Sequence, residues 1–159
     1  ATIAGSATLR LLATNTTIHV TATARSLGLG VLGIGAQSAG HVAVGSMTTA
    51  AVNTTIHVRS GHSEGVVVLG AGASDVGARA TVRNITAAAV STSILVTATG
   101  GGSNNGVGVV GFGANFGARV VAGNTTAVAV NAAIHVSTET GGSRGVGVLG
   151  VGANDEGAR

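Results

Sequence analysis

The stretch Gly145-Val-Gly-Val-Leu-Gly-Val-Gly-Ala153 decides how this chain folds, because close relatives of it recur along the sequence. The other copies lie at Leu27 to Ala36, Gly65 to Ala73 and Gly106 to Ala114. A Gly-x-Gly-x-x-Gly sequence between a strand and a helix would favour dinucleotide binding. Here each copy with sequence after it is followed by a short polar turn and another β-like run. The pattern therefore indicates a structural repeat and predicts no cofactor site.

Four related tetrapeptides give the length of the repeat. They begin 38, 38 and 40 residues apart and are Thr17-Ile-His-Val20, Thr55-Ile-His-Val58, Ser93-Ile-Leu-Val96 and Ala133-Ile-His-Val136. Periods of 20 to 50 residues are typical of solenoids, propellers and arrays. We therefore predict a single repeat domain, 1–159, built from units at about 1–40, 41–78, 79–118 and 119–159.

Each unit contains three β-like segments in cyclic order. A glycine-rich apolar strand and a polar turn are followed by a strand such as Arg119 to Val130 and a strand such as Ala133 to Thr138. In the last type, Ile18 and Val20 alternate with Thr17 and His19, which is typical of a half-buried strand. We predict an all-β fold, a parallel β-solenoid of about four flattened coils with a thin Val/Ala/Gly interior. A β-sandwich or meander of the same repeats is the alternative.

The composition limits both the core and the partners. The chain has 28 glycines and two phenylalanines but no proline, cysteine, tryptophan, tyrosine or lysine. Its formal net charge of +3 comes from arginines that are scattered and lack aromatic neighbours, so nucleic-acid binding is not predicted. No apolar run approaches the ~18 residues of a membrane helix, and membrane insertion is not predicted either.

Two sets of equivalent positions are predicted to have structural roles. In stacked coils, an amide column three residues before the Ile would form a hydrogen-bonded ladder, whereas the simpler interpretation is that Asn starts a turn. The ladder positions are Asn15, Asn53, Ser91 and Asn131. The predicted turn glycines are Gly40, Gly77, Gly117 and Gly157.

A histidine column is the main candidate for site chemistry. The outward positions of the tetrapeptides are His19, His57, Leu95 and His135. Two imidazoles without a carboxylate or thiolate make a poor metal site, so a surface column is favoured and no metal is predicted. The acids lie in or beside turns, and no serine has a nucleophile-elbow sequence, so no catalytic residue and no enzyme activity are predicted. Candidate glycosylation sites, each beginning Asn-x-Thr, are Asn15, Asn53, Asn84 and Asn124.

The repeat Gly-Val-Gly-Val-Leu-Gly-Val-Gly-Ala, with Thr-Thr-Ala-Val-Ala-Val-Asn and Ile-His-Val-Ser-Thr, resembles the repeats of large bacterial secreted and surface proteins of the adhesin or filamentous-haemagglutinin-like kind. The resemblance implies an extracellular or cell-surface β-solenoid stalk, fibre or filament. Because Gly157-Ala-Arg159 matches Gly77-Ala-Arg79, we expect coils that stack head to tail or belong to a longer array. The expected partner is another copy of the chain, with the cell surface or extracellular matrix as further partners. The alternative function is an ice-binding or other flat-face binding solenoid, favoured by Thr21, Thr23, Thr97 and Thr99.

Overall fold

A computed structural model of the chain describes residues 2–27, 30–64, 67–99, 104–105, 108–115, 117–138, 143–144 and 147–154. Val, Ile, Thr and Ala predominate in these segments, and the described residues form strands and turns without a helix. The strands are β1 (Thr2–Thr14), β2 (Thr17–Leu27), β3 (Gly30–Gln37), β4 (His41–Val52), β5 (Thr55–Glu64), β6 (Val67–Ser74), β7 (Arg79–Val90), β8 (Ser93–Ala98), β9 (Asn104–Asn105), β10 (Gly108–Asn115), β11 (Arg119–Val130), β12 (Ala133–Thr138), β13 (Ser143–Arg144) and β14 (Gly147–Asn154).

Three sheets run along the molecule. Strands β1, β4, β7 and β11 form the long-strand sheet, and β3, β6, β10 and β14 form the glycine sheet. Strands β2, β5, β8 and β12 form the histidine sheet, which the short strands β9 and β13 continue beside the end of β5. Each of the four predicted units contributes one long strand to every sheet, so one unit makes one coil.

Every pair of neighbouring strands is parallel and joins equivalent positions of successive coils. Ile18 pairs with Ile56, Ile56 with Ile94, and Ile134 with Ile94. Val52 pairs likewise with Thr14 and with Val90. A meander would pair its strands in antiparallel fashion. The predicted parallel solenoid of about four coils is therefore confirmed, and the meander alternative is wrong.

The interior consists of two apolar clusters. One lies where the three sheets meet and includes Ile56, Val68 and Ala89 from a different sheet each. The other lies between the glycine and long-strand sheets, where Ala and Val are supplemented by Met47 and Phe112. Small side chains on both sheets fill this cluster, as the predicted Val/Ala interior requires.

Glycines break the alternation of the glycine sheet. Val109 and Val110 are consecutive, yet both pack into the cluster where the three sheets meet. Gly111 follows them with φ 147°, and the equivalent Gly70 has φ 146°. A Cβ on Gly70 would lie 1.8 Å from the carbonyl oxygen of Gly111 in the next coil. Only glycine fits this bend, because a side chain would overlap the backbone of the neighbouring coil.

Candidate functional site

The outer face of the histidine sheet carries the residues with the most site chemistry. His19, His57, Leu95 and His135 occupy one column in register across β2, β5, β8 and β12. They point outward because the alternating neighbours, such as Ile56 and Val58, are buried in the core. The register therefore places these four positions next to one another in successive coils.

Two of the three histidines are direct neighbours. The rings of His19 and His57 lie 4.9 Å apart between centroids and are perpendicular. His135 is two coils from His57, with Leu95 between them. In the described part of the chain no three His, Cys, Asp or Glu side chains are grouped as metal ligands would be. The arrangement supports a surface column, and the prediction that it binds no metal stays a prediction.

An open groove of about 370 Å³ lies over this part of the sheet. The side chains that line it come from β2, β5 and β8 and are His19, Val20, Thr21, His57, Val58, Arg59, Leu95 and Thr97. Arg59 is exposed and follows His57 by two positions on the same strand, so both residues face outward. Among the described residues, the lining therefore includes one guanidinium, two imidazoles and two hydroxyl groups.

The predicted amide column lies at the corner between the long-strand and histidine sheets. Its four members are exposed and have left-handed backbones, with φ 51° at Asn15, 49° at Asn53, 49° at Ser91 and 48° at Asn131. Asn tolerates this conformation better than most residues. The hydrogen bonds along this corner come from the backbone, as in Asn15 N–H to the Val52 carbonyl at 3.0 Å and Asn53 N–H to the Val90 carbonyl at 3.0 Å. The backbone conformation explains the column, and a side-chain ladder there stays a prediction.

A buried hydroxyl follows the corner residue in the inner coils. Thr92 Oγ1 lies 2.9 Å from the carbonyl oxygen of Val90 and 3.0 Å from that of Ala51 in the preceding coil. Thr54 makes the same pair of contacts, at 2.9 Å with Val52 and 3.3 Å with Ala13. Each hydroxyl donates to carbonyls that the tight corner holds away from water. Sequence reasoning missed this column, although Thr16, Thr54 and Thr92 are evenly spaced.

An amide ladder does occur on the long-strand sheet. Asn124 Nδ2 donates to Asn84 Oδ1 at 3.1 Å, and Asn84 Nδ2 donates to Ser46 Oγ at 3.3 Å. These positions are spaced by 38 and 40 residues, as the tetrapeptides are, so the signal was present in the sequence. Two candidate glycosylation sites, Asn84 and Asn124, are engaged in this ladder. Asn15 and Asn53 lie at the exposed corner instead, and glycosylation of any of the four stays a prediction.

The turns between the glycine and long-strand sheets use the predicted glycines unequally. Gly77 and Gly117 have φ 82° and 67°, which favours glycine. In the first turn this left-handed position is taken by Ala39, with φ 59°, and Gly40 instead donates its N–H to the Gln37 carbonyl at 2.9 Å. The first and third turns are equal in length, so Ala39 corresponds to Gly117, and Gly40 corresponds to Ala118, whose N–H donates in the same way to the Asn115 carbonyl. Gly157 lies outside the described residues.

The acidic residues that the structure describes show no paired arrangement. Asp75 accepts a hydrogen bond from Ser38 Oγ at 3.2 Å, which links the turns of two successive coils. Glu139, Asp155, Glu156 and the side chain of Glu64 lie outside the part of the chain that the structure describes. For the flat-face alternative, Thr21 and Thr97 share a column with Arg59, and Thr97 Oγ1 lies 3.4 Å from Ser137 Oγ. The ice-binding function stays a prediction.

Comparison with protein-family models, with curated proteins and with solved structures finds no match for this chain. Nothing in the described part of the chain is a helix with the length and hydrophobicity needed to cross a bilayer.

Proposed function

We propose that this chain is a structural repeat protein whose coils stack end to end into a fibre or stalk, with a second copy of the chain as its partner. The observation that carries the proposal is the incomplete burial of the core in the end coils. Ile56 and Ile94 are 0% and 1% exposed, whereas the equivalent Ile18 and Ile134 are only half-buried. An added coil at either end would cover the same apolar column that the inner coils cover.

The backbone supplies the groups for such a junction. The N–H of Asn15, Asn53 and Ser91 each donates to a Val carbonyl of the following coil. Extending the same register, Asn131 N–H of one copy would donate to the Thr14 carbonyl of the next. In the opposite direction, Ala133 N–H donates to the Thr92 carbonyl at 2.9 Å, so Thr17 N–H of a second copy would donate to the Ala132 carbonyl. Unpaired strand edges of this kind readily pair with another chain.

An extracellular or cell-surface setting is part of the proposal. Its support is the resemblance of the repeats to those of bacterial adhesin-like proteins, together with the parallel solenoid that the resemblance implies. A fibre of this type would have a long lateral surface made of many similar coils. Contact with a cell surface or matrix is the role that follows from this shape.

Thr17→Pro tests the junction with little effect on the single chain. Thr17 begins β2 at the outer edge, and its N–H points away from the second coil, since the equivalent Thr55, Ser93 and Ala133 each donate to the preceding coil. Proline is tolerated at the first residue of an edge strand. We expect wild-type filaments in negative-stain electron microscopy and short or single particles for Thr17→Pro, with an unchanged circular dichroism spectrum.

Thr17→Ala is the matched control, since it removes the side chain and keeps the N–H, and it should form filaments as the wild type does. Filaments of equal length from Thr17→Pro would show that this edge is not the junction. A wild-type protein that remains as single particles at every concentration would contradict the stacking function itself.

A further inference from the structure

The charged side chains are divided unequally between the three sheets. The strands of the long-strand sheet contain four of the eight arginines and none of the five acidic residues. These arginines are all exposed and are Arg10, Arg79, Arg83 and Arg119. The described acid nearest to them in sequence is Asp75, which lies in the turn before β7 and accepts a hydrogen bond from Ser38. The outer face of this sheet is therefore positively charged, although the arginines are scattered along the sequence.

The register of the sheet brings two of the arginines together. Arg119 pairs with Arg79 of the preceding coil, and paired strands lie about 4.8 Å apart. Like charges that lie directly opposite each other on neighbouring strands repel. Arg83 lies on the same outer face as Arg79, because the alternating residues Ala80 and Val82 are buried. A ligand with several negative charges would relieve the repulsion within this group.

Uncharged hydrogen-bonding groups lie on the same face as the arginines. Asn124 donates to Asn84, and Asn84 donates to Ser46, in the ladder that crosses the sheet. A side-chain amide has two N–H groups and two acceptor sites, so the members of this ladder are also suited to hydrogen bonds with sugar hydroxyls. The strands of this sheet contain no Phe, Tyr or Trp, so they offer no ring on which a nucleobase could stack.

The spacing of the arginines favours an extended ligand. They lie in the first, third and fourth coils, and Arg79 and Arg83 are about 13 Å apart along β7. A single small anion could contact only the pair formed by Arg79 and Arg119, whereas a linear polymer could reach the other arginines as well.

We propose that the outer face of the long-strand sheet binds a linear acidic polysaccharide through its carboxylate or sulfate groups. The planar guanidinium group donates parallel hydrogen bonds to such oxygens, and its charge makes these bonds stronger than neutral ones. The amide and hydroxyl side chains between the arginines bind the sugar hydroxyls. The arginines supply the affinity, and the uncharged groups favour a carbohydrate over other polyanions.

The binding face is complete in one chain, so this proposal does not rest on end-to-end stacking. Stacking would repeat the face along the fibre and strengthen the binding of a long polymer by multivalency. Thr17→Pro should therefore still bind the polysaccharide, although more weakly than wild-type filaments do. A wild type that binds without forming filaments would contradict the stacking function and leave the polysaccharide site standing.

The direct test is biolayer interferometry of the full chain on immobilised polygalacturonate and dextran sulfate, with neutral dextran as the reference surface. We expect saturable binding that weakens roughly tenfold between about 50 and about 200 mM sodium chloride, because the salt competes with the ionic contacts. Tighter binding of polygalacturonate would assign carboxylate groups to the ligand, and tighter binding of dextran sulfate would assign sulfate esters.

Variants locate the site. Arg79→Gln should weaken binding about threefold, and its combination with Arg119→Gln about tenfold, because exposed ionic contacts are lost without opening the core. Arg25→Gln is the matched control for the single variant, since it removes the same charge from β2 of the histidine sheet. It should bind as the wild type does. Circular dichroism checks that each variant is folded.

A gain of binding provides an independent check. Thr126 is exposed and lies in the same column as Arg10, so Thr126→Arg adds a charge to this face and should tighten binding about threefold. The proposal is overturned if the acidic polymers bind no better than neutral dextran, or if Arg25→Gln weakens binding as much as Arg79→Gln does. Tighter binding of single-stranded oligothymidylate than of either acidic polysaccharide would also overturn it, because the face would then be a nucleic-acid site.

Discussion

The two inner coils and the two end coils carry the same side chains in different surroundings. Ile56 and Ile94 are fully buried, while Ile18 and Ile134 pack against the same cluster and remain half-buried. The long strands differ in the same way, since Ala89 is buried in β7 and its partner Ala129 is half-buried in β11. Among equivalent positions of the repeat, burial is therefore decided by the number of neighbouring coils.

The effect of a substitution on the free energy of unfolding should differ most between inner and end coils in the isoleucine column, which consists of Ile18, Ile56, Ile94 and Ile134. Ile94→Ala should lower the free energy of unfolding by about 3 kcal/mol, because it leaves a cavity that its neighbours on both sides cannot fill. Ile134→Ala should cost about 1 kcal/mol in the single, unstacked chain, since solvent already reaches that side chain there. Urea denaturation followed by circular dichroism measures both. Equal losses would mean that the end coil is covered in solution, as in an assembled fibre.

A smaller difference is expected for the corner hydroxyl. Thr92→Val should cost about 1–2 kcal/mol, because the buried hydrogen bond from the hydroxyl to the Ala51 carbonyl of the preceding coil is lost, while the Val90 carbonyl keeps the Asn53 N–H as its donor. Thr16→Val, at the exposed corner of the first coil, should cost less than about 0.5 kcal/mol. Thermal unfolding of the two variants and the wild type, followed by circular dichroism, measures both losses of stability. A Thr16→Val loss as large as that of Thr92→Val would refute the role of burial in this column.

The corner asparagines should show the smallest difference, or none. Asn53→Leu and Asn131→Leu should each cost about 1 kcal/mol, because both force a branched side chain into a left-handed backbone that is exposed in either coil. Asn53→Gly should be neutral to within about 0.5 kcal/mol, since glycine adopts this conformation freely. If Asn53→Gly is as costly as Asn53→Leu in urea denaturation, the amide itself is what matters and the predicted ladder is real.

The fold could be predicted from the sequence because equivalent positions of successive repeats can be aligned directly. The spacing of the tetrapeptides predicted the register in which Ile56 lies between Ile18 and Ile94, and the segments chosen as strands at Arg119 to Val130 and Ala133 to Thr138 agree with β11 and β12. Parallel stacking places equivalent residues in one column, so periodicity and tertiary contact carry the same information.

Details that depend on backbone conformation were less accessible. The sequence identified the column that contains Asn53 by its repeated amides. It did not show the left-handed φ, because asparagine tolerates that conformation without requiring it and the corner imposes it. Ala39 has the left-handed backbone that was expected for Gly40, because the hydrophobic pattern of the strands does not show which turn residue adopts a positive φ. The groove joins His57 and Arg59 to His19 from another coil, which only the assembled register shows.

The pairing of every strand only with strands of adjacent coils has a mechanical consequence. A force that pulls the chain lengthwise meets the end coils first, since each is held by one neighbour where an inner coil has two. Release of one 38-residue coil would add roughly 130 Å of extended chain, after which the next coil becomes the end and resists in turn. Under load such a stack would lengthen by one coil at a time while the remaining coils keep their shape.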